Sequence, residues 1–107
     1  MLRLAVAAAA LLVVTPVLAA GPIALTIQNN SSQAVTRLNT FGVSSDGEPI
    51  EDNLGAIMED IAAHTTGTLE LDISKCQPVW IAVVLDEKDD LSTTIDTCTS
   101  RTLVVSD

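Results

Sequence analysis

Few residues in this chain have the type and spacing to do chemistry. Two cysteines, Cys76 and Cys98, stand on either side of a pair of apolar runs. Redox pairs are usually spaced C-x-x-C at a helix start, where the thiolate is stabilised, whereas a separation of a whole hairpin reads as a structural disulfide in an exported chain. Asp86-Glu87-Lys88-Asp89-Asp90 and the group Asp46, Glu48, Glu51 and Asp52 offer the oxygen ligands that hard cations take. Neither has the glycine and regular acid spacing of a calcium loop, and Lys88 stands inside the first, so each alone reads as a solvated turn. A weak composite calcium site from Asp46, Glu48, Asp86 and Asp89 is the alternative, should the two loops meet at one end of the fold. His64 is the only histidine, too few for the usual zinc site, and no nucleophile-elbow spacing marks a triad partner for it. Trp80 and Phe41 are the only aromatic residues, a thin supply for a stacking surface, and Trp80 is expected to pack beside the disulfide. No residue is expected to hold a cofactor.

The surroundings of these residues narrow the compartment and the partners. Arg3, the apolar run Leu4 to Leu18, Pro16 and the small residue Ala19 form a secretory signal over residues 1–19, with Ala20 as the first mature residue. An uncleaved anchor is disfavoured, because the run is shorter than a bilayer span of about 20 residues and meets Gly21-Pro22. Cleavage leaves 88 of the 107 residues, a single domain over residues 20–107. A domain of that size is often marginal without a staple. All 14 acids lie beyond the signal, against the four bases Arg37, Lys75, Lys88 and Arg101, for a mature formal charge of −10. Phosphate and anionic lipid need a basic footprint, so nucleic acid and, after cleavage, membrane are excluded as partners.

The elements that must position these residues are read from periodicity. Ile23 to Gln28 alternates apolar and small or polar residues, a half-buried strand, and Asn29-Asn30-Ser31-Ser32 is a turn cluster that also has the form of overlapping glycosylation sequons. Ala34 to Phe41 reads as the returning strand, with Val35 and Leu38 three apart, which points to a bulge or an edge position. Gly42 to Asn53 reads as a surface loop. Leu54, Ile57, Met58 and Ile61 follow helical spacing with Asn53 as N-cap, which predicts one short helix over 53–63, although Gly55 costs it about 1 kcal/mol. Thr68 to Ile73 alternates strictly and Arg101 to Ser106 closes the chain as a last strand.

The segment between the cysteines submits to arithmetic. A hairpin symmetric about residue 87 pairs residue i with 174 − i, which sets Cys76 opposite Cys98, Val79 opposite Ile95, Ile81 opposite Thr93 and Val83 opposite Leu91 on one mostly apolar face. A slip of one residue would invert every side chain, so agreement of faces and cysteines supports the register.

An apolar strand running into Asn29-Asn30-Ser31, a second strand, Asn53-Leu54-Gly55, an alternating strand at Leu69, then Cys76, hairpin, Cys98 and a Thr/Val strand resembles a group of small, functionally uncharacterised secreted proteins of Gram-negative bacteria. The resemblance implies a periplasmic β-sandwich and brings no catalytic residues. Val79 and the glycine-free turn Asp86 to Asp90 depart from its pattern around the hairpin. The expected fold is all-β, a small antiparallel sandwich of about six strands with one short helix, periplasmic or secreted. The expected function is a non-catalytic interaction module for a protein partner; a calcium-binding structural domain and a small hydrolase centred on His64 are the alternatives.

Overall fold

A computed structural model describes residues 2–6 and 23–107. Most of the leader run and the Ala19–Ala20 junction lie outside the described residues. The chain forms eight strands: β1 (Arg3–Val6), β2 (Ile23–Asn29), β3 (Val35–Val43), β4 (Pro49–Ala56), β5 (Thr65–Leu71), β6 (Pro78–Leu85), β7 (Asp89–Asp96) and β8 (Thr102–Ser106). They make two four-stranded sheets, one ordered β1-β8-β2-β5 and the other β4-β3-β6-β7. All pairs are antiparallel except β2 with β8.

Alternation explains how both sheets reach one core. In β2, Ile23, Leu25 and Ile27 are buried while Ala24 and Gln28 are exposed. In β6, Val79, Ile81, Val83 and Leu85 are buried while Trp80, Ala82 and Val84 are half-buried on the other face. These residues join Leu38, Leu69, Leu71, Ile95, Leu103 and Val105 in a single apolar cluster drawn from both sheets. Each fully buried aliphatic side chain contributes on the order of 2 kcal/mol.

The hairpin register is the one expected, with Val79↔Ile95, Ile81↔Thr93 and Val83↔Leu91. Of the two readings of the Val35 to Leu38 spacing, the bulge holds, between Val35 and Arg37, and the edge position does not, since β3 lies between β4 and β6.

Three expectations are corrected. The strands number eight where about six were expected, and β2 with β8 is a parallel pair in what was expected to be an antiparallel fold. No helix occurs over 53–63: β4 runs from Pro49 to Ala56 and pairs with β3 through Asn53↔Phe41, Gly55↔Thr40 and Ala56↔Asn39. The helical spacing of Leu54, Ile57, Met58 and Ile61 does not describe one buried face, since Leu54 and Ile61 are buried but Met58 is 95% exposed. Gly55, with φ 159°, brings β4 close to β5, where an added Cβ would sit 3.1 Å from the Glu70 carbonyl oxygen. The neighbouring Asp72 N–H donates to the Leu54 carbonyl at 2.9 Å, tying the two sheets along that side. Ile61 then reaches back to β3, exchanging backbone hydrogen bonds with Val35 at 2.9 and 3.0 Å. The loop expected over Gly42 to Asn53 is likewise mostly strand, and only residues 44–48 connect β3 to β4. Pairing with the open side of β3 outweighs the weak local preferences of both segments.

Candidate functional site

Cys76 and Cys98 form the expected disulfide, with Cα atoms 4.9 Å apart. Just inside it, Thr97 extends the β6–β7 pairing by one residue, its N–H donating to the Gln77 carbonyl at 3.1 Å. Its buried hydroxyl donates to the Gln77 carbonyl and accepts from the Gln77 N–H, both at 2.8 Å. A disulfide favours an oxidising compartment, and no helix among the described residues is long and apolar enough to cross a membrane. Trp80 is not in the core: it lies half-buried on the outer face of its sheet, between Phe41 on β3 and Thr94 on β7.

The acidic residues do not converge. Asp86 and Asp89 bound the β6–β7 turn beside Val35 at the start of β3, whereas Asp46 and Glu48 lie in the turn that follows its end at Val43. The length of β3 separates them, roughly 25 Å at strand rise, so the composite four-carboxylate site is not formed. The side chain of Asp52 lies outside the described set. No group of three metal-ligating side chains occurs among the described residues.

The two acidic turns are instead held by their own backbones. Ser44 accepts from the N–H groups of Asp46 and Glu48 at 3.3 Å through its hydroxyl. Asp86 and Glu87 both have left-handed backbone, with φ 49° and 58°, and the Lys88 N–H closes the turn on the Leu85 carbonyl at 2.9 Å. That turn is anchored to the start of β3 by the Ala34 and Thr36 partners of Asp86 and Glu87.

His64 is an exposed turn residue with φ 61°. It has no hydrogen-bond partner among the described residues, and it does not line the groove of about 600 Å³ between the 56–61 segment and β5.

The most developed polar constellation is one the sequence marked only as a turn. Asn29, fully buried, donates through Nδ2 to the carbonyls of Gln33 at 2.8 Å, Ile61 at 3.1 Å and Ala62 at 3.2 Å. Its Oδ1 accepts from the Ser31 N–H at 3.1 Å and the Ser31 hydroxyl at 2.7 Å. The sequon-like Asn29-Asn30-Ser31 is thus a knot that ties the β2–β3 turn to the 61–62 segment.

Sheet edges remain as places where another molecule meets this chain. Of the strands that end a sheet, β7 carries Asp89, Asp90 and Asp96, β5 carries Glu70, and β4 carries Glu51. Such charges guard an edge against pairing. The residues of β8, Thr-Leu-Val-Val-Ser, are uncharged, and among the described residues their outer side is covered by β1 in the register Arg3↔Ser106, Leu4↔Val105, Ala5↔Val104 and Val6↔Leu103. Sequence reasoning took β8 as a closing strand and missed this edge, because strand order is a property of the assembled sheets. Comparisons with family models, with curated proteins and with solved structures find no match to this chain.

Proposed function

We propose that the chain is a small exported domain, periplasmic or secreted, whose leader is removed after Ala19 and which acts without catalysis by meeting a protein partner along a sheet edge. On this reading the two sheets are the layers of a β-sandwich, as in the secreted bacterial group the sequence resembles. The observation that supports it is the cover on β8. Arg3–Val6 belongs to the segment the signal reading removes, so cleavage exposes the N–H and C=O groups of an uncharged strand. An edge of that kind binds an extended segment through main-chain hydrogen bonds, with alternate side chains supplying selectivity.

The test is affinity capture with the exported protein as bait, run beside Val104→Pro. Proline removes one edge donor from the middle of β8 and is tolerated at an edge. A partner retained by the wild type and lost with V104P is the expected result. Recovery of no partner, or capture that V104P leaves unchanged, would overturn the reading.

A further inference from the structure

The edge of β8 has a more specific fit than an unidentified partner, and the case for it rests on the cleavage reading above. The carbonyls of Arg101 and Val105 accept from the N–H groups of Thr26 and Asn30 on the β2 side, at 2.8 and 2.7 Å. Backbone groups alternate along a strand, so the polar groups of Thr102, Val104 and Ser106 point to the opposite, β1 side, where the Thr102 N–H makes a long 3.4 Å contact to the Ser100 hydroxyl that pairing with another strand would replace. Meanwhile Leu103 and Val105 point into the core, both fully buried.

We propose that once the leader is gone, β8 pairs antiparallel with β8 of a second copy, in a register centred on Val104. Residue i then faces residue 208 − i of the partner copy. Three consequences agree. The pairs Val104 with Val104 and Thr102 with Ser106 become the hydrogen-bonded ones, using the groups already turned outward and forming about six backbone hydrogen bonds. The second copy also reproduces the strand it replaces. Leu4 sits opposite Val105 and Val6 opposite Leu103 in β1, and the new register sets the second copy's Leu103 and Val105 in those same two places. The x-Leu-x-Val order of Arg3–Val6 recurs in Thr102–Val105. Finally, the exposed Arg101 falls opposite the exposed Asp107 of the other copy, twice by symmetry. A slip of one residue would turn Leu103 and Val105 against outward-facing side chains and would part these charges. The net repulsion of two acidic domains is screened beyond about 8 Å at physiological salt.

The experiment uses the full-length chain expressed for export and purified from the compartment that receives it, with its N-terminus read by intact mass and its association measured by sedimentation over a range of concentrations at 0.15 M salt. A cleaved chain that forms a dimer is expected, with V104P monomeric but unchanged in its far-UV circular dichroism. Arg101→Asp and Asp107→Arg should each weaken dimerisation about tenfold, and the double exchange should restore it. Arg101 also donates to the Thr97 carbonyl and Asp107 accepts from Ser32 within one chain, and a swap cannot repair those contacts. Restoration therefore reports pairing between copies. A cleaved chain that stays monomeric, a dimer indifferent to these variants, or a retained leader would each overturn the proposal. So would a monomer that takes up a synthetic peptide of residues 2–6 without dimerising, which would assign the edge to a donor strand from elsewhere. Failure here through a monomer leaves the V104P-sensitive capture of another protein as a separate result.

Discussion

Replacing Asn29 by alanine tests the buried knot most directly. The three carbonyls that Asn29 serves each keep a second donor. Ile61 O accepts from Val35 N at 2.9 Å, Ala62 O from Thr65 N and Oγ1 at 3.2 and 2.7 Å, and Gln33 O from Ser31 Oγ at 2.9 Å. None of these acceptors is orphaned by N29A. The buried Ser31 N–H, however, loses its acceptor at Asn29 Oδ1, which costs about 1–3 kcal/mol. Loss of the two amide N–H donations, one of them shared between carbonyls and both partly redundant, adds roughly 0.5 kcal/mol each, the low end for a net hydrogen bond. The expected destabilisation is about 3 kcal/mol, against a total of roughly 4–13 kcal/mol for a domain of this size. In melting temperature that is a fall of roughly 12–24 °C.

Asn29→Asp separates the two sides of the amide. It keeps the oxygen facing Ser31 and replaces the donor nitrogen with a second oxygen facing three carbonyls. The buried carboxyl is therefore held protonated, with a folded-state pKa above the unfolded value of about 3.9. The folded variant binds more protons than the unfolded chain between those two values, so its stability falls as pH rises from about 4 through the folded-state value. Urea unfolding followed by far-UV circular dichroism from about pH 4.5 to 7.5, with the disulfide intact, measures both variants. A loss below about 1 kcal/mol for N29A, or a difference between N29D and wild type that does not change with pH, would refute the assignment of this knot as a fold determinant.

Three further outcomes are expected. Reduction of Cys76–Cys98, both exposed, should lower stability by about 3 kcal/mol in the chain-entropy account of a loop this long, read as a lower urea midpoint with a steeper slope, because the unfolded chain without its cross-link exposes more surface. Gly67→Ala should cost about 1–3 kcal/mol by overpacking, because its Cβ would fall 2.7 Å from Ile61 Cδ1 and 2.9 Å from Cγ1; unchanged thermal melting would show that Ile61 moves aside freely. Glu87→Gly should stabilise by about 1 kcal/mol, since φ 58° is strained for a residue with a Cβ and costs glycine nothing, and a lowered melting temperature would contradict that.

What was legible from sequence was local and periodic. Alternation located β2 and β5, the apolar run beside Cys76 located β6, and Thr/Val content located β8, each to within a few residues. The hairpin register followed from two constraints that had to agree, the apolar faces and the cysteines, and every pair from Val79↔Ile95 to Val84↔Asp90 is the expected one. The spacing of Val35 and Leu38 left a bulge or an edge position open, and strand order decided for a bulge inside the sheet. The failure at 53–63 has a physical cause of the same kind. Four apolar residues at helical spacing also fit a strand followed by a loop, and periodicity over so short a window cannot separate the two. What decided was the vacant side of β3 and a glycine that lets β4 approach β5.

The candidate site divides along the same line. Sequence by itself determined the disulfide-closed hairpin and the polar turn at Asn29, because each depends on neighbours along the chain, and the net acidic charge, which depends on composition alone. Only the tertiary structure decided that the two acidic loops lie at opposite ends of β3, that Asn29 faces inward onto carbonyls from residues 61 and 62, and that β8 stands next to an edge covered by residues 3–6. These depend on strand order, and strand order is chosen by how all the apolar faces close on one core together.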